Sequence, residues 1–416
     1  MYKTQSSFTN SMFGHYAYQE IIARHKNHLL VRLNEHIDLS FIADIVSDCY
    51  CPNNGRPAYH PVIMFKILFL QTLYNVSDEK IIELVDTNIL FRYFVGLSLT
   101  DDIPDRTLLG KFRARLGENK FNQIFNQIVR LASQVGLVDN RLRLIDCSAV
   151  KAKVDLYRCR KASSNDGNSS NKRQRKKQNS FTSSNSSNNS NNNNNSNNSN
   201  SNNSNSNSNN NNSSNNNTNN NNNNNSNKNN SNNNNSKNNN NNNNSYLYYL
   251  DQNTTDPEAS VGHKTKKNKW YGYKSGIIMD AESEIVTAVK TTTAKIADTN
   301  HLEDLVIQDK NISGGAKRIC GDKGFLGHDY FLSQNNITNN IIRRDNMKKP
   351  RRLIYYLDKA IRPIIEHKFA EGKKYHGLAK ARYRGRWRVH IQSLLIYLTM
   401  NLKKIVNYLC PITSKT

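Results

Sequence analysis

The longest compositional feature of the sequence is a run of Asn and Ser that fills residues 163–245 almost without interruption. The run has no apolar periodicity and cannot bury enough apolar surface to offset its chain entropy, so we expect it to be disordered. A fold that contains it must carry it as a surface connection. The thermodynamic cost is small, because each doubling of loop length adds only about 0.6 kcal/mol of closure free energy. The sequence therefore predicts folded segments on both sides of the run, and its 416 residues suggest two or three domains.

The chain is strongly basic, with a formal net charge of +25. Residues 343–388 alone hold sixteen Lys or Arg against four acids. That density predicts an anionic polymer as the partner, and nucleic acid is the usual one. A membrane fits less well, because the charges do not form a clean basic amphipathic helix. The apolar runs near residues 62–73 and 391–402 are also too short to cross a bilayer.

The cysteines and the basic clusters bear on the compartment. None of the six cysteines belongs to a CxxC pair, which argues against a zinc site. With no secretory signal in the sequence, we expect reduced thiols in an intracellular protein. Residues 172–177 form a basic cluster of the nuclear-import type, and Asn-rich runs are typical of AT-rich eukaryotic genomes. We therefore expect the nucleus if the host is a eukaryote, and otherwise the cytoplasm.

The part of the sequence before residue 138 favours helices. Residues 60–136 combine apolar stripes with N-cap residues such as Ser77. One predicted helix starts at Pro104-Asp105 and turns a basic face away from its apolar stripe. That face either enters a DNA groove, as in helix-turn-helix proteins, or is simply solvated. Its cations are Arg106, Lys111, Arg113 and Arg115.

Three acids in the second part of the chain are candidates for one site. Asp146 and Asp322 are each predicted to end a strand, and Glu366 lies on a helix that begins between Ala360 and Pro363. Carboxyl ends of strands meet at one sheet edge, and a helix packed there could add Glu366. Taken singly, each acid is more commonly a turn residue, a helix cap or an ion-pair partner.

Together the three acids predict different chemistry. Converging carboxylates raise one another's pKa values but are well suited to hard divalent cations such as Mg²⁺ or Mn²⁺. Two such cations support phosphoryl transfer. Arg362 and Lys373 border the apolar stripe of the Glu366 helix, at spacings of four and seven residues from that acid. We therefore interpret Glu366 as a metal ligand between two phosphate-binding cations, with a plain Arg–Glu pair as the alternative.

Several blocks of the sequence resemble DDE transposases of the bacterial insertion-sequence type. The family's Tyr-x₂-Arg-x₃-Glu-x₆-Lys signature falls on Arg362, Glu366 and Lys373 with matching spacing. Lys359 stands at the Tyr position, so the sequence departs from the family there, although Tyr355 and Tyr356 lie close by. The other blocks are His60-Pro61-Val62, residues 103–108, Asp146-Cys147-Ser148-Ala149-Val150, Gly272-Tyr273-Lys274, Gly321-Asp322-Lys323-Gly324-Phe325 and residues 377–385.

The resemblance implies an α/β ribonuclease H-like mixed sheet flanked by helices, preceded by an all-α domain and interrupted by the disordered run. It implies a transposase that nicks transposon ends and joins the freed 3′-OH to target DNA. Asp146, Asp322 and Glu366 would be its catalytic and Mg²⁺-binding residues, with Mn²⁺ as a substitute. The partners would be double-stranded DNA and a second copy of the chain on that DNA, with no membrane. The implied DNA contacts are Arg362, Lys373, Lys323 and Arg382.

The domain organisation that follows has four segments. They are a helical, DNA-binding N-terminal domain (1–138), the first catalytic strand (139–162), the Asn/Ser insertion (163–245) and the remainder of the catalytic domain (246–416).

Two other functions stay open on the sequence alone. A domesticated relative would bind DNA without cutting it, and a structure-selective nuclease of the same superfamily would use the same acids. The complete set of acids and cations favours an active enzyme over the first alternative. The helical N-terminal blocks favour a transposase over the second.

Overall fold

A computed structural model describes residues 12–51, 57–154, 256–264 and 268–411. The predicted disordered insertion and the basic cluster at 172–177 lie outside the described residues, as does Cys159. The other five cysteines are free thiols.

The N-terminal region is helical, as predicted. Ser77 caps its fifth helix by accepting a hydrogen bond from the Lys80 N–H at 3.1 Å, and the fourth helix is buried along almost its whole length. The sequence predicts one helix that ends near Leu116 and a second that begins at Asn119, and a kink at Gly117 (φ 61°, ψ −172°) divides the last helix there. The helices are α1 (Met12–Arg24), α2 (Leu29–His36), α3 (Phe41–Ile45), α4 (Pro61–Leu73), α5 (Asp78–Thr87), α6 (Ile89–Val95) and α7 (Arg106–Gln134).

The second part of the chain contains a six-stranded mixed sheet, counted over the described residues. Strand β1 pairs antiparallel with β3 and parallel with β5, and β6 adds a second parallel pair. Strands β2 and β4 both pair antiparallel with β3. The strands are β1 (Leu142–Lys151), β2 (Ser260–His263), β3 (Lys269–Asp280), β4 (Val286–Thr293), β5 (Arg318–Gly321) and β6 (Thr338–Asn339).

The chain leaves and re-enters the sheet around one residue. Lys151, the last residue of β1, pairs with Gly272 of β3. Ser260, the first residue of β2, pairs with the same Gly272 from the other side. The long connection that contains the Asn/Ser run therefore begins and ends beside a single point of β3.

Helices flank the sheet and fill the rest of the fold. Helix α12 is buried without a break from Val389 to Leu402, because it packs against β4 on one side and α7 on the other. One helix thus belongs to the cores of both regions. Within the described ranges, no helix has the length and apolarity needed to cross a bilayer. The helices are α8 (Leu302–Ser313), α9 (Asp329–Gln334), α10 (Leu353–Ile361), α11 (Pro363–Tyr375) and α12 (Arg386–Leu409).

Three local predictions are corrected. Asp146 lies in the middle of β1, not at its end, because β3 pairs with β1 as far as Lys151. The sequence predicts a strand over residues 337–343, but β6 is only Thr338–Asn339, although Asn340 N and Ile342 N still donate to the β5 carbonyls of Ile319 and Gly321. The helix start near Pro363 is confirmed, but Ile361 belongs to the preceding helix α10 and is 37% exposed.

Candidate active site

A notch in the sheet defines the candidate active site. Strand β5 ends at Gly321, opposite Ile145 of β1. Farther along β1, Lys151 forms a parallel bridge with Lys380. Between these two points, residues 146–150 have a strand partner only on their β3 side, among the residues that the structure describes. Helix α11 approaches β1 and brings Glu366 to this edge.

Asp146 lies at the start of the notch and is largely buried. One carboxylate oxygen accepts the Cys147 N–H at 2.7 Å, and the other accepts from Arg362 Nη2 at 3.1 Å. Burial raises the pKa of Asp146 to about 6, and Asp322 and Asp298 push it in the same direction against the Cys147 N–H and Arg362. Asp146 is therefore a carboxylate whose charge is incompletely compensated.

Arg362 joins two of the three predicted acids. Its Nη1 donates to Glu366 Oε1 at 2.8 Å, while Nη2 reaches Asp146. Pro363 begins α11, so Arg362 and Glu366 are four residues apart across a helix start and face the same side. Asp146 and Arg362 are each 16% exposed at the side chain, whereas Glu366 is 56% exposed. The pair foreseen in the sequence exists, and it extends to Asp146.

Asp322 follows β5 directly, as predicted. The two strands approach closely here, since a β-carbon at Gly321 would lie 2.6 Å from Ile145 Cγ2. Repulsion from Asp322 helps to raise the pKa of Asp146, although burial is the larger cause.

Asp298 is a fourth acid at this edge. The sequence predicts it only as a helix cap, but it is the first residue of a short 3₁₀ helix whose N-cap is Ala297. Its Oδ1 lies 2.8 Å from Lys274 Nζ, and its side chain faces the turn at Gly324, beyond Asp322. The sequence signal that could have indicated Asp298 was the Gly272-Tyr273-Lys274 block, because a lysine close to the site requires an acidic partner.

Two of the predicted cations lie near the acids. The pKa of Lys373 is lowered by partial burial and by Lys264, with Asp146 acting in the opposite direction. Lys373 is thus within electrostatic reach of Asp146 and of Lys264, a cation that the sequence did not indicate. Lys323 is exposed and lines an open cavity of about 510 Å³ together with Gly324 and residues 344–346.

Arg382 does not join the site. Its guanidinium donates to the Val76 carbonyl and to Asn75 Oδ1, in the turn between α4 and α5. The backbone around it is also anchored, since Lys151 N donates to Ala379 O at 3.1 Å and Ala381 N to Lys151 O at 2.7 Å. We call residues 376–385 the anchor segment. It connects the helical region to the end of β1.

The predicted basic face of α7 is also smaller than expected. Arg113 is buried, pairs with Asp78 and lies 4.5 Å from the centre of the Tyr383 ring. It therefore belongs to the contact with the anchor segment. Arg106, Lys111 and Arg115 remain exposed, although Arg106 pairs with Glu79.

The carboxylate oxygens at the notch are the type of ligand that a hard divalent cation prefers. Within the described residues, no group of three or more His, Cys, Asp or Glu side chains is arranged to hold a metal ion, since the Arg362 guanidinium stands between two of the acids. Two polar atoms at the notch, Ser148 Oγ and Arg362 Nε, are buried without a hydrogen-bond partner among those residues. A buried, acid-crowded edge with unsatisfied polar atoms fits added positive charge and oxygen-rich ligands.

Two known protein families match parts of the chain. Residues 18–115 match a family described as transposase domain (DUF772), and residues 248–402 match the transposase DDE domain. No solved structure matches the chain. The protein is therefore a DNA transposase, of a class that cleaves and transposes DNA.

Within that class the chain belongs to the DDE transposases of the insertion-sequence type. Enzymes of this kind generally depend on divalent metal ions. The partner that the excess of positive charge predicted is DNA.

Proposed function

We propose that the protein cleaves DNA at transposon ends and joins the 3′-OH to target DNA by two-cation phosphoryl transfer. The observation that carries this proposal is the Arg362 guanidinium that holds Asp146 and Glu366 together, beside a third acid, Asp322. We further propose that the mixed sheet is ribonuclease H-like.

Asp146, Asp322 and Glu366 would hold Mg²⁺ or Mn²⁺. When bound, the cations would activate the attacking oxygen and stabilise the leaving one. The incompletely compensated charge of Asp146 favours their binding. Arg362 is then released from its two acids and becomes available to a phosphate, for which its planar fork is well suited.

The remaining cations would position the substrate. Lys373 lies within electrostatic reach of Asp146, so it would hold a phosphate oxygen close to the reacting one. Lys323 follows Asp322 directly and would contact the same strand from the other side of the notch. We also propose a dimer on paired DNA ends, and action in the nucleus if the host is a eukaryote.

The test is strand cleavage of DNA that carries the ends flanking the gene, measured with and without Mg²⁺. We expect cleavage that requires the cation and is lost in Glu366→Gln. Glu303→Gln is the matched control, because Glu303 is similarly exposed (52%) but pairs with His328. Cleavage by Glu366→Gln at the wild-type rate would overturn the metal assignment.

The same assay separates the alternatives. Wild-type protein that binds the ends but never cuts would be a domesticated relative. Protein that cuts branched or unpaired DNA without joining 3′-OH ends would be a nuclease.

A further inference from the structure

Helix α10 carries an apolar stripe that faces away from the protein. Leu353 is 74% exposed, Tyr356 47%, Leu357 49% and Ile361 37%. Their spacings of three, four and eight residues from Leu353 put them on one face of the helix. A contiguous exposed apolar patch of this kind marks an interaction site.

The opposite face of α10 is fixed to the sheet. Tyr355 and Asp358 are both 1% exposed. Asp358 pairs with Arg318 of β5 at 2.9 Å, and Tyr355 accepts a hydrogen bond from the Arg343 N–H at 2.9 Å. The stripe is therefore held outward by a buried anchor and cannot rotate into the core.

Cations surround the stripe. Between residues 344 and 361 every Lys and Arg is exposed, and Asp345 is the one exposed acid in this fully described range. The cations are Arg344, Lys348, Lys349, Arg351, Arg352 and Lys359. The patch is therefore suited to a partner that is polyanionic and also presents apolar surface.

The position of α10 links the patch to the acids. The helix ends at Ile361, and the next residue, Arg362, bridges Asp146 and Glu366. A strand lying along α10 would thus reach the catalytic edge within one helical turn.

We propose that this face of α10 binds DNA whose bases are unpaired next to the cleavage point, an inference that rests on the proposed function. The cations hold the phosphates, and Tyr356 with its aliphatic neighbours contacts the exposed base faces. A fully paired duplex presents phosphates but hides those faces. A second copy of the chain fits less well, because the positive charges of the two patches repel.

Binding measured without divalent cations tests the inference, since no cleavage is then needed. The probes are a paired 30-base-pair duplex and the same duplex with a central four-nucleotide mismatch. We expect wild-type protein to prefer the mismatched probe about tenfold. The double variant Tyr356→Ala, Leu357→Ser should lose most of that preference and still bind the paired duplex normally.

Two comparisons keep the result specific. Tyr330→Ala removes an aromatic side chain that is 79% exposed on α9, and it should leave the preference intact. Lys348→Gln, Lys349→Gln should weaken binding to both probes and lower the salt slope by about two.

The opposite results overturn the inference. They are no preference in the wild type, or a preference that survives the stripe variant. A stripe variant that instead loses binding to phosphatidylserine vesicles, or loses dimers in light scattering, would assign the patch to a membrane or to a second copy. Wild-type protein that prefers the mismatched probe but never cuts DNA would overturn the proposed function and leave this inference intact.

Discussion

The candidate active-site edge around Asp146 and the anchor segment are both rich in charged residues from motifs that resemble transposases. The charges at the edge are incompletely compensated, whereas those of the anchor segment are paired within the chain. At the edge, Asp146 is buried beside other acids, and Ser148 Oγ has no hydrogen-bond partner within the described part of the chain. At the anchor segment, Arg382 is satisfied by Asn75 and Val76.

The difference indicates which part of the protein requires a ligand to balance its charges. Charges that are completed by the chain itself hold the fold together, whereas charges left incomplete call for a ligand. Arg362 and Arg382 look alike in sequence, because both lie in the basic stretch of residues 343–388. Arg362 stands beside acids that are candidate cation ligands. Arg382 instead connects the anchor segment to the helical region.

The largest expected effect comes from the edge. Asp322→Asn should lower the cleavage rate by about 10³-fold or more, because it removes a carboxylate that we propose as a catalytic residue, and should change stability by less than about 0.5 kcal/mol. Asp345→Asn, at a fully exposed acid nearby, is the control. Single-turnover cleavage and thermal melting measure the two quantities. An Asp322→Asn variant that fails to fold would show that Asp322 stabilises the fold.

The next effect comes from the anchor segment. Arg382→Gln should lower the free energy of unfolding by about 3 kcal/mol, because it removes two charge-assisted hydrogen bonds, to the half-buried Val76 carbonyl and to the Asn75 side chain. Arg384→Gln, at an exposed site two residues away, should have little effect. Urea denaturation measures both. A stable Arg382 variant with weaker, less salt-dependent DNA binding would restore the original prediction of a DNA contact.

A smaller effect is expected where α12 meets α7 and β4. His390 contacts Thr291 and Asn122, and burial lowers its pKa to about 4. The folded state therefore resists protonation, so stability is complete above the unfolded pKa of about 6.5 and is lost as the pH falls towards 4. By pH 4.5 the loss should be about 2 kcal/mol.

The His390→Gln variant should lack that part of the pH dependence, while His25→Gln, at an exposed site, should keep it. Urea denaturation at pH 8 and pH 4.5 gives the difference. Equal acid sensitivity of wild-type protein and His390→Gln would show that the contact tolerates a charged imidazole.

The smallest effect concerns a single phosphate contact. Lys373→Gln should weaken DNA binding by about 1 kcal/mol and lower the salt slope by about one, with no change in melting temperature. Lys374→Gln is the matched control, since Lys374 lies over the Tyr375 ring, 5.0 Å from its centre. An unchanged slope for Lys373→Gln would remove Lys373 from the DNA path.

The sequence predicted the acids better than it predicted the cations. Asp322 and the Glu366 helix follow from local rules, because strand ends and a proline at a helix start are set within a few residues. Arg382 was misplaced because its partner Asn75 is 307 residues away in the chain. Arg113 and Asp298 were misjudged for the same reason, since only the tertiary fold brings Asp78 and Lys274 to them. The position of Asp146 within β1 likewise depends on β3, which lies across the insertion.

The return of the chain to one point of β3 has a practical consequence. Lys151 and Ser260 flank Gly272 from both sides, so they lie about two strand spacings, or roughly 10 Å, apart. The sheet is closed by hydrogen bonds on both sides of that point and does not need the intervening chain as a covalent link. We therefore expect the gene to tolerate division there into two separately expressed fragments. One fragment carries Asp146 and the other carries Asp322 and Glu366, so DNA cleavage would itself report that the halves have found each other.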